Sequence, residues 1–278
     1  MNLTRKTMNP LRTGIFSVAA LILGLALFSF STGAAESGPG ATSARDLAAS
    51  LFALQDGASY VRLRLEVKQP GDTTKIALQL QIKENRTKSA SDVVYQVLWP
   101  KERKGESVLL HKAAGSSPTG SLFTPPDKLR PLNASQMNEA LFDSDLSYRD
   151  VIENFFGWEN QTIVGNETLN RVSCVILESK PVKADSSSYA SVRSWIDPRR
   201  LVPLRVEKYL PSGELVRRID TTRVATDDRG RFIPAELTVH GPHQDSVTNL
   251  DGSRIRHDVA YKDREFTPEG LTEVAAPK

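Results

Sequence analysis

The sequence predicts a mainly β protein of the α+β class, a curved antiparallel sheet covered by a few helices. Three observations lead there. From Ser59 onward the apolar residues recur with period two over most of the chain, the spacing that puts them on one face of a strand. The connections between these runs, such as DPRR, PSG, DDRG and DG, are short and made of turn residues, which favours antiparallel neighbours. Several runs are near ten residues long with one apolar and one charged face. Long strands of that kind must wrap around something to bury the apolar side.

The N-terminus comes first in order. A basic segment ending at Arg12 precedes an apolar run from Ile15 to Phe30, followed by the small residues of STGAAES. The apolar core falls short of the ~20 residues that span a bilayer, and no Cys follows it for acylation. The expectation is a cleaved signal peptide over 1–35, a linker over 36–42 with the composition ESGPGAT, and one domain over 43–278. The exported chain would be released as a soluble protein in an exported compartment. The formal net charge of +3 comes from Arg5, Lys6 and Arg12, so the mature protein carries 33 basic and 33 acidic side chains. That balance gives no electrostatic case for nucleic acid.

SARDLAASLFALQDG reads as a helix, with Ser43 as N-cap, Leu47, Leu51 and Leu54 at helical spacing and Gly57 past its end. In SYVRLRLEVKQ the residues Val61, Leu63, Leu65 and Val67 alternate with Arg62, Arg64, Glu66 and Lys68. After a turn at PGD, TTKIALQLQIKE repeats the pattern with Ile76, Leu78, Leu80 and Ile82, so the pair forms a hairpin with one wet face. DVVYQVLW and SVLLHKA continue the sheet across KERKGE. The stretch GSSPTGSLFTPPDKLRPLN reads as a loop. Beyond a central helical segment, eight further runs from WENQTIVG to SRIRHDVAYKD bring the total to about a dozen strands.

The central segment LFDSDLSYRDVIENFF sets three aspartates among apolar residues. With Ser147 as N-cap, Asp150 falls at the third helical position, where its carboxylate reaches back to the Ser147 N–H. Leu146 and Val151 then occupy the two positions of a hydrophobic staple. Asp143 and Asp145 precede the helix, where aspartate favours turns and the positive end of the dipole. The D-x-D lacks the Gly and terminal Glu of an EF-hand loop.

Other chemical templates are missing. There is no H-E-x-x-H, G-x-S-x-G or P-loop pattern. The close pair His240 and His243 brackets a Gly-Pro bend, and no cofactor or metal is expected. Cys174 is the single cysteine and reads as a buried structural thiol.

The order of signal peptide, short helix and amphipathic hairpin, followed by FDSDLSYRDV, by YASVRSWIDPRRLVPLRVEKYLPSGELVRRI and by EFTPEGL, resembles the outer-membrane lipoprotein-sorting branch of the LolA/LolB-like superfamily. The resemblance implies an unclosed antiparallel β-barrel whose apolar concavity, covered by helices, holds acyl chains of lipids or lipoproteins in the periplasm. It implies partners in the inner or outer membrane and no catalytic residue. The expected lining is Val61, Leu63, Leu65, Ile76, Leu78, Leu80, Val93, Tyr95, Val97 and Trp99, with Phe142, Leu146, Phe155, Phe156 and Trp158 as lid or rim. Two rival readings are a scaffold that docks an envelope transporter through an exposed sheet face or edge, and a hydrolase using Asp143 or Asp145.

Overall fold

The computed structural model describes residues 43–273, with 72, 243, 244 and 253 left aside. The expected signal peptide and linker lie outside the described residues. Helix α1 spans Ala44–Leu54. The Ser43 side chain caps it by accepting from the Asp46 N–H at 3.1 Å, as the sequence predicts.

Fourteen strands follow. They are β1 (Gly57–Gln69), β2 (Thr73–Arg86), β3 (Ala90–Trp99), β4 (Ser107–Ala113), β5 (Thr119–Thr124), β6 (Lys128–Leu132) and β7 (Asn160–Leu169). After these come β8 (Val172–Lys180), β9 (Ser191–Asp197), β10 (Val202–Tyr209), β11 (Leu215–Thr226), β12 (Phe232–His240), β13 (Val247–Asp251) and β14 (Ile255–His257). They form one antiparallel sheet in the order β6-β5-β4-β3-β2-β1-β13-β12-β11-β10-β9-β8-β7, with β14 also on β1. The terminal strands β6 and β7 do not pair with each other, so the barrel is unclosed. Among the described residues no helix is long and apolar enough to cross a membrane.

Two expectations are corrected. The loop read over GSSPTGSLFTPPDKLRPLN contains β5 and β6. Gly and Pro disguise them, yet Leu122 and Leu132 are buried, and Pro131 sits on an edge strand where its missing donor costs no ladder bond. The central helix is only one turn, α2 (Tyr148–Ile152), because Glu153 returns to extended backbone. A 3₁₀ turn at Phe155–Gly157 completes that segment.

The concave face of β1–β5 forms the main core. Leu65, Leu78, Leu80, Val93, Val97, Val108 and Leu110 pack against Met137, Leu141, Phe142, Leu146 and Ile152. Residues 137–158 therefore act as a strap across the sheet. Full burial of each large apolar side chain contributes roughly 1.5–3 kcal/mol. A second cluster joins Leu47, Ala48 and Leu51 of α1 to Phe156, Leu177 and Ile196. On the convex face Leu271 and Phe266 cover Val94, Leu109 and Phe123.

Candidate functional site

The strap owes its position to two of its three aspartates. Asp150 is the cap that the sequence predicts: the Ser147 N–H donates to Oδ2 at 2.8 Å and the Asp150 N–H donates to Ser147 Oγ at 3.1 Å. The structure adds three distant partners, two from strands β10 and β11 and one from the loop before β9. Lys208 Nζ lies 2.7 Å from Oδ1, Arg217 Nε 3.0 Å from Oδ2, and the Tyr189 hydroxyl donates to Oδ1 at 2.7 Å. The carboxylate is fully enclosed. Burial alone would push its pKa up; Lys208 and Arg217 outweigh that and hold it far below the usual carboxylate range. The same charge raises the pKa of Tyr189, after burial itself.

Asp145 fastens the strap to β13, accepting from the hydroxyls of Ser246 and Thr248 at 2.7 Å each. Asp143 is solvent-exposed and 3.4 Å from Arg103. The strap is strained where it turns: Phe142 and Asp143 adopt left-handed φ values of 51° and 61°, a conformation that costs a side-chain-bearing residue about 1–3 kcal/mol. Nothing in this arrangement pairs two carboxylates around a space.

The space lies elsewhere. A cleft of about 750 Å³ opens between α1, the β2–β3 and β4–β5 turns, the end of the strap and the start of β7. The apolar part of its wall comes from Ala48, Ala49, Phe52, Ala53, Phe156 and Trp158. Arg45, Lys88, Lys112, Asp56, Glu159 and Asp185 contribute charge of both signs. Lys112 Nζ donates to the carbonyls of Ser116 and Asp185 at 2.8 and 3.0 Å, tying the β4 end to the loop after β8. Phe52 rests on Gly157, where an added Cβ would stand 2.8 Å from the ring. On the other flank of α1 is a slot of about 270 Å³, walled by Leu51, Leu54, Val61, Leu201, Phe232 and Ile255 among others. Phe156 borders both spaces.

The expected lining residues divide accordingly. Leu65, Leu78, Leu80, Val93, Tyr95, Val97, Phe142 and Leu146 are buried in the main core, with Val61, Leu63 and Ile76 packed against it. Of the expected set, Phe156 and Trp158 line the large cleft, and Val61 and Phe156 line the slot. Phe155 stacks between Phe156 and Trp158, with ring centroids at 4.5 and 6.2 Å. Trp99 departs from the alternation. A bulge slips the β2–β3 register, pairing Leu80 with Val97 but Gln79 with Trp99. The extra residue moves Trp99 onto the face of Gln79, and it is 53% exposed.

Sequence reasoning missed Lys208, Arg217 and the α1 alanines. Lys208 did leave a signal: it falls in phase with the inward residues Val202, Leu204 and Val206, where a lysine demands a buried partner.

One further cluster resembles a metal site. Asp227, Asp228 and His257 place their ligand atoms within 4.8 Å of one another. Asp227 already accepts from the Arg229 and Arg231 N–H groups and from Arg231 Nε at 2.8 Å, and Asp228 accepts from the His257 N–H. Saturated this way, the cluster locks the β11–β12 turn to β14.

A protein-family model described as an uncharacterized protein matches residues 90–273. No curated protein matches the chain. Three solved structures share the fold. A DUF1329 family protein from Desulfovibrio piger is 20% identical with a TM-score of 0.75, covering 82% of this chain and 97% of its own. A putative outer membrane lipoprotein-sorting protein domain from Vibrio parahaemolyticus is 16% identical with a TM-score of 0.72, covering 81% and 97%. A LolA superfamily protein from Nitrosomonas europaea is 17% identical with a TM-score of 0.66, covering 82% and 98%. The fold implied by the resemblance is the fold found.

Proposed function

We propose that this chain, which belongs to the uncharacterized-protein family whose model spans residues 90–273 and which has the LolA-type fold, is a periplasmic carrier of acyl chains. The cargo would be a lipid or the lipid-modified end of a lipoprotein, moved towards the outer membrane without covalent chemistry. The observation that carries the reading is the 750 Å³ cleft walled by α1, Phe156 and Trp158. Its volume lies in the range of ~300–1,000 Å³ typical of small-molecule sites. Withdrawing an acyl chain from water is favourable by about 0.8 kcal/mol per methylene, so an apolar wall suffices to hold it. Charges of both signs at the margin suit the polar end of an amphiphile. That the Vibrio parahaemolyticus domain of the same fold is described as a putative outer membrane lipoprotein-sorting protein domain agrees with this class of cargo.

Native mass spectrometry of the protein purified without detergent tests the proposal. A discrete mass excess that extracts into organic solvent as lipid or acylated peptide is expected. The double substitution Ala49→Glu and Ala53→Glu changes two exposed positions of α1 that wall the cleft. It should remove the mass excess from a protein that still folds. A bare wild-type mass after incubation with liposomes would overturn the carrier reading and favour a docking scaffold.

A further inference from the structure

We propose that the part of the convex face left open by residues 261–273, along β14 and β1 and out to Trp99 at the end of β3, docks on the surface of an anionic phospholipid membrane. The reading concerns the opposite side of the sheet from the strap, and it holds whatever fills the clefts.

The β2–β3 bulge brings a row together. Arg64 pairs with Gln79 in the β1–β2 register, and Gln79 pairs with Trp99 in the β2–β3 register. Arg64 and Trp99 thus stand on either side of Gln79 and share a hollow of about 240 Å³. Trp99 is the most exposed of the large apolar side chains, at 53%. A solvent-facing tryptophan beside arginine is the pairing found at membrane interfaces, where the indole lies at headgroup level.

Further along the same face of β1, Tyr60 gathers two guanidiniums. Arg62 Cζ and Arg256 Cζ lie 5.9 and 4.9 Å from its ring centroid, and Arg62 Nε donates to the Tyr60 hydroxyl at 2.7 Å. Exposed Arg254 sits immediately before β14 in the chain. The turn that follows Trp99 adds exposed Lys101 and Lys104.

Glu66 offsets Arg64, while Asp251 engages Arg223, Glu265 engages Lys83 and Glu106 engages Arg103, so these four carboxylates leave the charge of Arg62, Arg254, Lys101 and Lys104 standing. Exposed Glu102 lies within the turn itself. The outcome is a cationic surface with one tryptophan at its margin. Such a surface attracts anionic headgroups, and the tryptophan gives it a depth of insertion.

The test is co-sedimentation of the full exported protein with vesicles of equal parts phosphatidylglycerol and phosphatidylcholine, against vesicles of phosphatidylcholine alone. Binding only to the anionic vesicles, reversed by high salt, is expected. The double substitution Arg62→Gln and Arg254→Gln should weaken that binding about 30-fold. The indole emission should shift to the blue on binding, and Trp99→Phe should abolish the shift, since Trp158 and Trp195 are buried. All the substituted residues are exposed, so circular dichroism and any cargo mass excess should be unchanged. Failure of the wild type to bind anionic vesicles, or equal binding by the arginine variant, overturns the proposal. Equal competition by inorganic phosphate overturns it as well, because it would indicate a phosphate site.

Discussion

The two faces of the sheet are closed by segments of similar purpose and different chemistry. On the concave side the strap of residues 137–158 is fastened by a buried charge, Asp150 against Lys208 and Arg217. On the convex side the tail of residues 261–273 is held mainly by neutral hydrogen bonds. Gln96 Nε2 donates to the carbonyls of Leu271 and Glu273 at 3.2 Å each, and Ser107 Oγ donates to Leu271 at 3.3 Å. Gln81 in turn donates to Gln96 at 2.7 Å. One ion pair, buried Lys83 with part-buried Glu265 at 2.9 Å, assists. A buried ion pair is costly to assemble and more costly to break on one side only, whereas an amide track loses a bond at a time. The strap should therefore fail abruptly and with acid, and the tail more gradually and with less dependence on pH.

The largest effect should come from Asp150→Ala. It leaves Lys208 and Arg217 facing each other without a counter-charge, at a cost of about 3–5 kcal/mol, read from urea unfolding at neutral pH. The pH dependence has a definite sign. Because the folded pKa of Asp150 is depressed below its ordinary value of 3.8, its contribution is complete above the unfolded pKa. It is lost as pH falls from there towards the folded value. The stability gap between wild type and Asp150→Asn should narrow in that acid window; a constant gap would mean that the ion pairs do not stabilise the strap.

A smaller effect should follow from Gly270→Ala in the tail. An added Cβ would stand 2.0 Å from the Arg264 carbonyl oxygen, so the tail must shift off Val94 and Leu109. A loss of about 1–3 kcal/mol is expected, with the same value at pH 7 and at pH 4. Hydrogen exchange should localise it to β3 and β4, leaving α2 protected.

The smallest effect tests the strap's weak point. Glu153 is buried, its Oε2 accepts from Ser187 at 3.0 Å, and its Oε1 has no hydrogen-bond partner. Burial pushes its pKa up despite Lys208 and Arg149, so the charged form is less favoured here than in water. Glu153→Gln should change stability at neutral pH by less than about 1 kcal/mol, with either no loss or a slight gain. A loss as large as that of Asp150→Ala would show that Glu153 is a second anchor.

Local chemistry made much of this molecule readable in the chain. The Ser43 and Ser147 caps and the β1–β2 hairpin depend on residues a few positions apart, where propensity and period act directly. So does the outward charge of β1. β5 and β6 were obscured because edge strands tolerate Pro and Gly, the residues that signal turns elsewhere. Trp99 was placed on the wrong face because one bulge inverts the alternation, and a bulge leaves no mark in a binary pattern.

The site shows the same division. Val61, Phe156 and Trp158 were legible as apolar residues in suitable positions. Their role beside a cleft depended on where α1 lands, which the apolar stripe of an eleven-residue helix cannot specify. The sequence by itself determined the sheet, its wet and dry faces and the caps, because those follow from neighbours in sequence. Only the tertiary structure decided that Asp150 meets Lys208 and Arg217 from strands 58 and 67 residues away, that β6 and β7 stay unpaired, and that space remains beside α1. Those features arise from long-range register and from the packing of side chains, and no local preference encodes them.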